Sequence, residues 1–298
     1  MIIPMNRNTP KVSIGLPVFN GENYLREALD SLLSQTYTDF ELIISDNAST
    51  DATQGICEDY ASKDQRIHYH QCRTNIGAAA NYNRVFELAR GEYFKWAAHD
   101  DVCSPEFLMS CVEQLDRDSQ TVLCYPVDVA IDSKGDVIPN YMDKYTELNH
   151  LDMPVPYKRL HDLACLRHGC FQIFGLVRTE SLRNTPKIAN FIGADRVLLA
   201  ELALKGGFWK SPHPISFRRH AEQYCALDNK ASREAWYSTE SKKKITYTMK
   251  TQLIEHFRLI RRVNLAWFDR VLCYLVMMDW VRRKRRKLAQ EVYRSLMF

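Results

Sequence analysis

The sequence lacks the patterns that would place the protein outside the cell or within a membrane. It contains nine cysteines, but no two are separated by two residues, and their spacing follows no zinc-site or disulfide framework. Such cysteines are typical of free thiols in a reducing compartment. The segment Met1–Arg7 is too short and too polar for a secretory signal, and no uninterrupted apolar run has the length of a membrane span. We therefore expect a cytoplasmic protein.

The sequence also lacks a large excess of charge of either sign. Forty basic and thirty-six acidic residues leave a net charge of +4, which is too small to indicate nucleic-acid binding. Of the 298 residues, 46% are hydrophobic, so the chain can bury a sizeable core. This length fits one large α/β domain with an appendage, or two modest domains. The basic residues are concentrated towards the C-terminus.

Short apolar runs alternate with segments of helical periodicity in the first half of the chain. The runs predict strands at residues 12–19, 40–45, 66–70, 92–98 and 121–125. Strands and helices that alternate through short connections favour a parallel sheet with helices on both faces. The third run is the most polar, which places its strand near an edge of the sheet.

The second half of the chain has a weaker pattern. Residues 132–156 are rich in turn-forming types and predict a long loop near the site. A helix is predicted at 157–166, a strand at 171–177 and a short apolar helix at 196–204. Beyond residue 223 the pattern is helical without strands. One helix carries Lys242–Lys244, and a second contains Leu265–Met278 and ends at the basic run Arg282–Lys287.

Two adjacent carboxylates follow the predicted strand at 92–98. Asp100 and Asp101 follow it after a single residue, His99, and residues from Ser104 onwards begin a helix. In open α/β sheets, ligands bind at the carboxyl ends of the strands. Neighbouring carboxylates repel each other, and Mg²⁺ prefers one or two carboxylates together with substrate phosphates. The pair therefore indicates a metal and phosphate site, although a solvated Asp-Asp turn is the simpler alternative.

Three segments together resemble glycosyltransferase family 2. They are the strand and loop at Val12–Asn23, the long stretch Ser34–Asp51, and the turn His99–Asp101. The stretch Ser34–Asp51 is the most specific of the three. The resemblance covers about residues 10–222 and implies an inverting, nucleotide-sugar-dependent enzyme with a GT-A fold, a Rossmann-like and mostly parallel sheet flanked by helices.

The resemblance implies a division of the chain into domains. Residues 1–222 would form the GT-A catalytic domain, with a nucleotide-sugar half at about 10–130 and an acceptor half at about 131–222. Residues 223–298 would form a C-terminal helical region.

The resemblance also assigns residues that bind the nucleotide-sugar donor. Asp46 matches the aspartate that binds the nucleotide base, for which a turn-forming aspartate is the alternative. Asn75 and Gly77 match the segment that closes over the nucleotide, and a plain helix cap is their alternative. The remaining donor-binding residues are Pro17, Val18, Phe19 and Asn20 in the loop against the base, together with Asp100 and Arg219.

The same resemblance implies a divalent metal cofactor, Mg²⁺ or Mn²⁺. Asp101 is the expected direct ligand, whereas Asp100 would reach the ribose or the sugar of the donor. His220 matches a late basic segment, in which it would be a further metal ligand or a contact to the diphosphate. Arg219 would be an additional phosphate partner. A structural role is the alternative for His220.

Asp195 matches the catalytic base of the family. Inversion requires a carboxylate to take the proton of the acceptor hydroxyl as that oxygen attacks the anomeric carbon. Many members carry a Glu-Asp pair here, but this chain has Ala194 before Asp195, so the second carboxylate is missing. A helix N-cap is the alternative role for Asp195.

The predicted function is transfer of a sugar, which we expect to be UDP-linked, to an acceptor hydroxyl in polysaccharide, lipopolysaccharide or other cell-surface glycan synthesis. The acceptor would be a glycan or a lipid-linked acceptor. A non-catalytic scaffold that binds nucleotide or glycan is one alternative. A sugar nucleotidyltransferase is another, but it would need a glycine-rich phosphate loop after the first strand, and residues 19–23 do not form one.

The C-terminal helical region leaves two interpretations open. Asp269, Arg270 and Asp279 interrupt its apolar segment, so it should not cross a bilayer. It packs either on the catalytic domain or a second subunit, or it lies on the inner face of an anionic membrane, with Arg282–Lys287 as an electrostatic anchor.

Overall fold

The computed structural model describes residues 9–218 and 248–297. The strands in these ranges are β1 (Val12–Val18), β2 (Phe40–Asp46), β3 (Ile67–Gln71), β4 (Tyr93–Trp96), β5 (Val102–Cys103), β6 (Thr121–Ile131), β7 (Leu176–Arg178) and β8 (Gly207–Arg218). The helices are α1 (Leu25–Leu33), α2 (Thr53–Lys63), α3 (Ala78–Leu88), α4 (Phe107–Arg117), α5 (Pro156–Cys165), α6 (Thr179–Arg183), α7 (Ala194–Lys205), α8 (Thr248–Arg262) and α9 (Trp267–Met297).

All eight strands form one sheet in the order β3-β2-β1-β4-β7-β6-β8-β5. Strands β1, β2, β3 and β4 pair in parallel, as do β6 and β8, and β3 lies at an edge as predicted. Strand β7 is antiparallel to both of its neighbours, and β5 is antiparallel to β8. The predicted α/β class is confirmed, but the sheet is mixed. Hydrophobic periodicity reports which residues are buried and not the direction of a strand, so it could not predict β7.

The strand predicted at 171–177 is wrong in its first half. Phe171–Phe174 form a 3₁₀ turn, and only Leu176–Arg178 form a strand. The turn follows Cys170, which has a φ of 59°. Both conformations bury the same apolar side chains, so the apolar run did not distinguish them.

The core consists of two hydrophobic clusters. Strand β1 lies between them. Its side chains at Val12, Ile14 and Leu16 pack in the first cluster, together with residues of α1 and α4. Gly15 points the other way, and a Cβ atom there would lie 2.6 Å from Val85 of α3. The second cluster joins α3, α5 and α7 to the sheet. Helices therefore cover both faces, as the alternating pattern predicted.

Helices α8 and α9 share the second cluster with the rest of the chain. Leu259 and Ile260 of α8, and Cys273, Met277 and Trp280 of α9, are buried in it. The prediction that this helix ends at the basic run is wrong, because α9 continues through the run to Met297. Arginine and lysine are good helix formers, so a basic run does not end a helix. Lys242–Lys244 lie outside the described residues.

Two expectations from composition can be compared with the structure. All eight cysteines in the described ranges are buried and without a disulfide, in agreement with the prediction of free thiols. Among the helices that the structure describes, none combines the length and the apolar content that a membrane span requires.

Candidate functional site

The carboxyl ends of β1, β2 and β4 lie side by side at one edge of the sheet. Val18 at the end of β1 pairs with Asp46 at the end of β2, and Gly15 of β1 pairs with Trp96 at the end of β4. Because these strands are parallel, the segments that follow them leave the sheet together. These segments carry Phe19 and Asn20, the turn after Asp46, and the pair Asp100 and Asp101.

Asp46 is fully buried, and both of its carboxylate oxygens accept hydrogen bonds. The Ser49 backbone N–H donates to Oδ1 at 2.8 Å. The Tyr69 hydroxyl and the Gln71 side-chain amide donate to Oδ2 at 3.0 and 3.3 Å. Burial, followed by the hydrogen bond to Asp46, raises the pKa of Tyr69, so this hydroxyl stays protonated and acts as a donor. Both the turn-forming role and a site role for Asp46 are compatible with these contacts.

Asn20 joins the loop after β1 to the turn after β2. Its backbone N–H donates to Ser49 Oγ at 2.9 Å, and its side-chain oxygen accepts from the Thr50 N–H at 2.9 Å. Asn20 has a φ of 52°, a conformation that asparagine adopts more readily than most residues. The next residue, Gly21, lies against His99, and a Cβ atom at Gly21 would lie 2.8 Å from the His99 ring. The three loops are thus in direct contact.

Within the segment 17–20, the structure separates buried from open positions. Pro17 and Val18 are buried residues of β1, whereas Phe19 and Asn20 are exposed. Phe19 and Asn20 are therefore the residues of this segment that are open to a ligand.

Asn75 and Gly77 are tied to the same edge through Asn47. The Asn47 side-chain amide donates to Asn75 Oδ1 at 3.0 Å, and the Gly77 N–H donates to the same oxygen at 2.9 Å. The Asn47 side-chain oxygen in turn accepts from the Ile76 N–H at 2.8 Å. Gly77 precedes α3 with a φ of 85°, which glycine adopts without strain. Asn47, which was not predicted as a site residue, holds the 75–77 segment in place.

Arg218 organises the turn that carries Asp100 and Asp101. Its backbone N–H donates to Asp101 Oδ1 at 2.9 Å, and its Nε donates to the Asp100 carbonyl at 3.2 Å. The guanidinium also donates to the Asp132 carbonyl at 3.0 Å and forms an ion pair with Glu27. Arg218 is buried at the end of β8. Because it contacts both the Asp100 and the Asp132 carbonyls, the start of the 132–156 loop lies beside the two aspartates, as predicted.

Arg218 was missed as a site residue, because the family pattern pointed to the next two positions. Arg219 and His220 lie outside the described residues, so their predicted roles stay predictions. The signal that could have identified Arg218 is a basic residue directly after the apolar Phe217, at the end of a strand.

Lys95 is a second missed residue, buried in β4 beneath the aspartate pair. Its Nζ donates to the Phe174 carbonyl at 2.7 Å and to the Trp96 carbonyl at 3.1 Å. Burial lowers the pKa of Lys95, with the Asp101 carboxylate among the groups that oppose this effect. Lys95 links the end of β4 to the 3₁₀ turn Phe171–Phe174, and a small cavity beside it is lined by Asp101 and Phe174.

Asp195 occupies the second position of α7, after Gly193 with a φ of 89°. Its carboxylate accepts the Arg196 N–H at 2.8 Å. Burial and then the Asp195 charge raise the pKa of the Cys170 thiol, so Asp195 lies close to the residue that precedes the 3₁₀ turn. The Phe174 carbonyl of that turn accepts a hydrogen bond from Lys95 of β4. No side-chain N-cap hydrogen bond is formed at α7, within the part of the chain described.

Arg196 and His168 hold the segment next to Asp195. The Arg196 guanidinium donates to the carbonyls of Leu163, Leu166 and His168. Burial, followed by the Arg196 charge, lowers the pKa of His168 to about 3, so the imidazole is neutral. Neutral His168 accepts the Cys170 N–H at its Nδ1.

The protein has a mixed α/β sheet with acidic loops at the carboxyl edge of its parallel strands, an arrangement that agrees with the GT-A fold that the motifs predicted. A family model described as glycosyl transferase family 2 matches residues 13–184, which is more than half of the chain. The chain therefore belongs to glycosyl transferase family 2, as the sequence motifs predicted. An uncharacterized glycosyltransferase of Rickettsia felis is 34% identical over 172 residues, which are 56% of this chain and 27% of that protein. The chain thus spans about a quarter of the length of that relative.

Two solved structures have a similar fold. TarS of Staphylococcus aureus, in complex with UDP-GlcNAc, has a TM-score of 0.62 at 20% identity, over 92% of this chain and 72% of that one. The mannosyltransferase PcManGT of Pyrobaculum calidifontis, in complex with GDP-Man and Mn²⁺, has a TM-score of 0.52 at 14% identity, over 96% of this chain and 85% of that one. At these identities the likeness establishes the fold.

Proposed function

We propose that the protein is an inverting glycosyltransferase that moves a sugar from a nucleoside-diphosphate sugar to an acceptor hydroxyl. The observation that carries this proposal is the meeting of Asp46, Asn20 and the Asp100–Asp101 pair at one edge of the sheet, all within the residues that the family model matches. The complexes of TarS with UDP-GlcNAc and of PcManGT with GDP-Man support a nucleotide-sugar donor.

In this proposal the base of the nucleotide lies against Phe19 and hydrogen-bonds to Asp46. A carboxylate offers about four lone-pair sites. Asp46 uses one on Oδ1 and two on Oδ2, which leaves one for an N–H of the base once the loop residues that bury this carboxylate move aside. Asn20, Asn75 and Gly77 border the nucleotide, while Pro17 and Val18 support the loop from within β1. UDP is the diphosphate that we expect.

Asp101 and Asp100 would hold a divalent metal ion, Mg²⁺ or Mn²⁺. The residues fit such an ion, because carboxylate oxygens are the ligands these metals prefer and both side chains are only partly buried. Asp101 Oδ1 accepts the backbone N–H of Arg218, which fixes the position of this carboxylate at the turn. When bound, the ion would neutralise charge on the diphosphate leaving group. Arg219 and His220 remain proposed contacts to the phosphates or the metal.

Asp195 is the proposed catalytic base. The acceptor oxygen forms a bond to the anomeric carbon while the bond from that carbon to the diphosphate breaks, and the hydroxyl proton passes to the Asp195 carboxylate. Arg196, through its contacts to three carbonyls, fixes the segment beside this carboxylate. Asp195→Asn should therefore bind donor with unchanged affinity and lose about 10²-fold or more in transfer rate.

The proposed setting is synthesis of polysaccharide, lipopolysaccharide or another cell-surface glycan, with a glycan or lipid-linked acceptor bound by residues 131–222. The division into a catalytic domain at 1–222 and a helical region at 223–298 likewise stays a proposal.

The test is calorimetric binding of UDP, GDP and dTDP, each with and without Mn²⁺. The wild-type protein should bind one diphosphate at least about tenfold more tightly with the metal, which corresponds to about 1.4 kcal/mol. Asp101→Asn should lose this metal-dependent gain. The matched control is Asp136→Asn, an exposed aspartate in the 132–156 loop, which should behave as the wild type. If no diphosphate binds under any metal condition, the non-catalytic scaffold replaces this proposal.

A further inference from the structure

Helix α9 has two faces of different environment. Cys273, Met277 and Trp280 are fully buried against the rest of the chain, where α9 packs on α5 and α8. Of the two interpretations that the sequence left open, packing on the same chain is therefore observed for this side of the helix. This packing occupies only one side of the helix.

The opposite side of α9 carries five large apolar residues that are open to solvent. They are between 47% and 78% exposed, and they are Trp267, Phe268, Val271, Leu275 and Met278. Since a helix turns about 100° per residue, these five positions fall within one sector of about 100°. Scattered exposed apolar residues are normal, but a contiguous set on one helix face marks a contact surface.

The same sector continues with basic residues towards the C-terminus. Arg282, Arg285 and Arg286 are exposed and fall at the same angles, followed by Ala289 and Tyr293. We name the ten residues from Trp267 to Tyr293 in this sector the open stripe of α9. Its first half is apolar and its second half is basic.

The stripe contains no acidic residue. Asp279 lies at its border and pairs with Arg282 and Arg283. Glu291 lies on the packed side, where its carboxylate accepts the backbone N–H groups of Met249 and Lys250 at the start of α8. The charges of Arg285 and Arg286 therefore remain available to an anionic partner.

We propose that the open stripe of α9 lies on an anionic lipid surface. Tryptophan and phenylalanine insert at the boundary between headgroups and acyl chains, while arginines on the same face contact lipid phosphates. A second copy of the chain would fit less well, because a two-fold contact between the apolar halves would leave the arginines of the basic halves without an anionic partner. The helix is too polar to span the bilayer, so it lies in the plane of the surface. The proposal does not depend on the transferase reaction.

The test is co-sedimentation of the full chain with vesicles of phosphatidylcholine alone, and with vesicles of phosphatidylcholine and phosphatidylglycerol in equal parts. The protein should bind the anionic vesicles at least about tenfold more tightly, and added salt should weaken this binding. The double variant Leu275→Gln, Met278→Gln should lower binding to the anionic vesicles by about tenfold or more, because it replaces two apolar side chains of the stripe by polar ones.

The matched control replaces two exposed apolar residues outside the stripe, Val137→Gln with Ile254→Gln, and should bind as the wild type. Equal unfolding temperatures of the two double variants would exclude a folding defect as the cause. Equal binding of both variants, or no binding by the wild type, would overturn the proposal. Self-association in the absence of lipid that only the stripe variant loses would assign the stripe to a second copy instead.

Discussion

Arg218 contacts more segments around the candidate site than any residue that the motifs indicated. A single buried guanidinium reaches Glu27 in α1, Asp100 beyond β4, and the carbonyls of Asp132 and Ser133. It also lies over the ring of Tyr24, with 4.5 Å between the guanidinium carbon and the ring centroid. The position of Asp100 therefore depends on a side chain 118 positions away in sequence, and that of Asp101 on the backbone N–H of the same residue.

We expect Arg218→Met to weaken metal-dependent donor binding by about tenfold or more and to lower the free energy of unfolding by about 3 kcal/mol. The variant leaves the carbonyl oxygens of Asp100 and Asp132 without their donor and frees the turn at Asp100. Binding calorimetry and urea unfolding measure the two effects. The control is Arg183→Met, because Arg183 forms an exposed ion pair with Glu180. If both variants bind donor equally well, Arg218 has no role in positioning the site.

At the scale of the element, the start of α7 determines where Asp195 lies. Gly193 adopts a φ of 89°, and a Cβ atom there would lie 2.3 Å from the Gln252 side-chain nitrogen. That nitrogen donates to the Ile192 carbonyl at 3.0 Å, so α8 supports the turn that introduces the proposed base.

We expect Gly193→Ala to lower the free energy of unfolding by about 1–2 kcal/mol, since alanine is strained at positive φ and its Cβ displaces Gln252. The sugar transfer rate should fall with it, because Asp195 is two residues away. Gly55→Ala is the matched control. Gly55 lies inside α2, a Cβ atom there would meet nothing within 4 Å, and the change should stabilise the protein by about 0.5–1 kcal/mol. Opposite signs in thermal unfolding would agree with this account, and a stabilised Gly193→Ala would contradict it.

At the scale of the whole molecule, the C-terminal helices complete the hydrophobic cluster around α5 and α7. Buried residues of α8 and α9 share one cluster with α5 and α7. His256 of α8 is fully buried beside Trp280 of α9, with 6.1 Å between the ring centroids. Burial lowers the pKa of His256 to about 4, and burial also lowers that of His168, to about 3.

Because of these two histidines, we expect the free energy of unfolding to fall in mild acid. Both pKa values lie below the ordinary 6.5 of a histidine in the unfolded chain. At a pH between each folded value and 6.5, the unfolded chain therefore binds protons that the folded chain does not. The free energy of unfolding should therefore fall as the pH drops below about 6.5, by about 1.4 kcal/mol for each histidine at about pH 5.5. Urea unfolding over this range measures the loss. His256→Phe should remove about half of it, and an unchanged pH dependence in that variant would contradict the assignment.

Local pattern was sufficient for much of this molecule. The runs at 12–19, 40–45 and 92–98 predicted β1, β2 and β4, because a buried parallel strand is nearly continuously apolar. The polar residues that follow those runs had to meet at one edge, since parallel strands share a carboxyl end. Asp46 and the Asp100–Asp101 pair could thus be placed together from sequence, and the motif stretch at Ser34–Asp51 was specific enough to predict the family.

Only the tertiary structure decided the contacts between positions far apart in the chain. The antiparallel direction of β7, the 3₁₀ turn before it, the burial of Lys95 and the reach of Arg218 depend on which surfaces meet, and hydrophobic periodicity carries no such information. The same holds for α9. Its sequence determined an amphipathic helix, but its packing against α5 and α8 decided which face is buried and which face remains open.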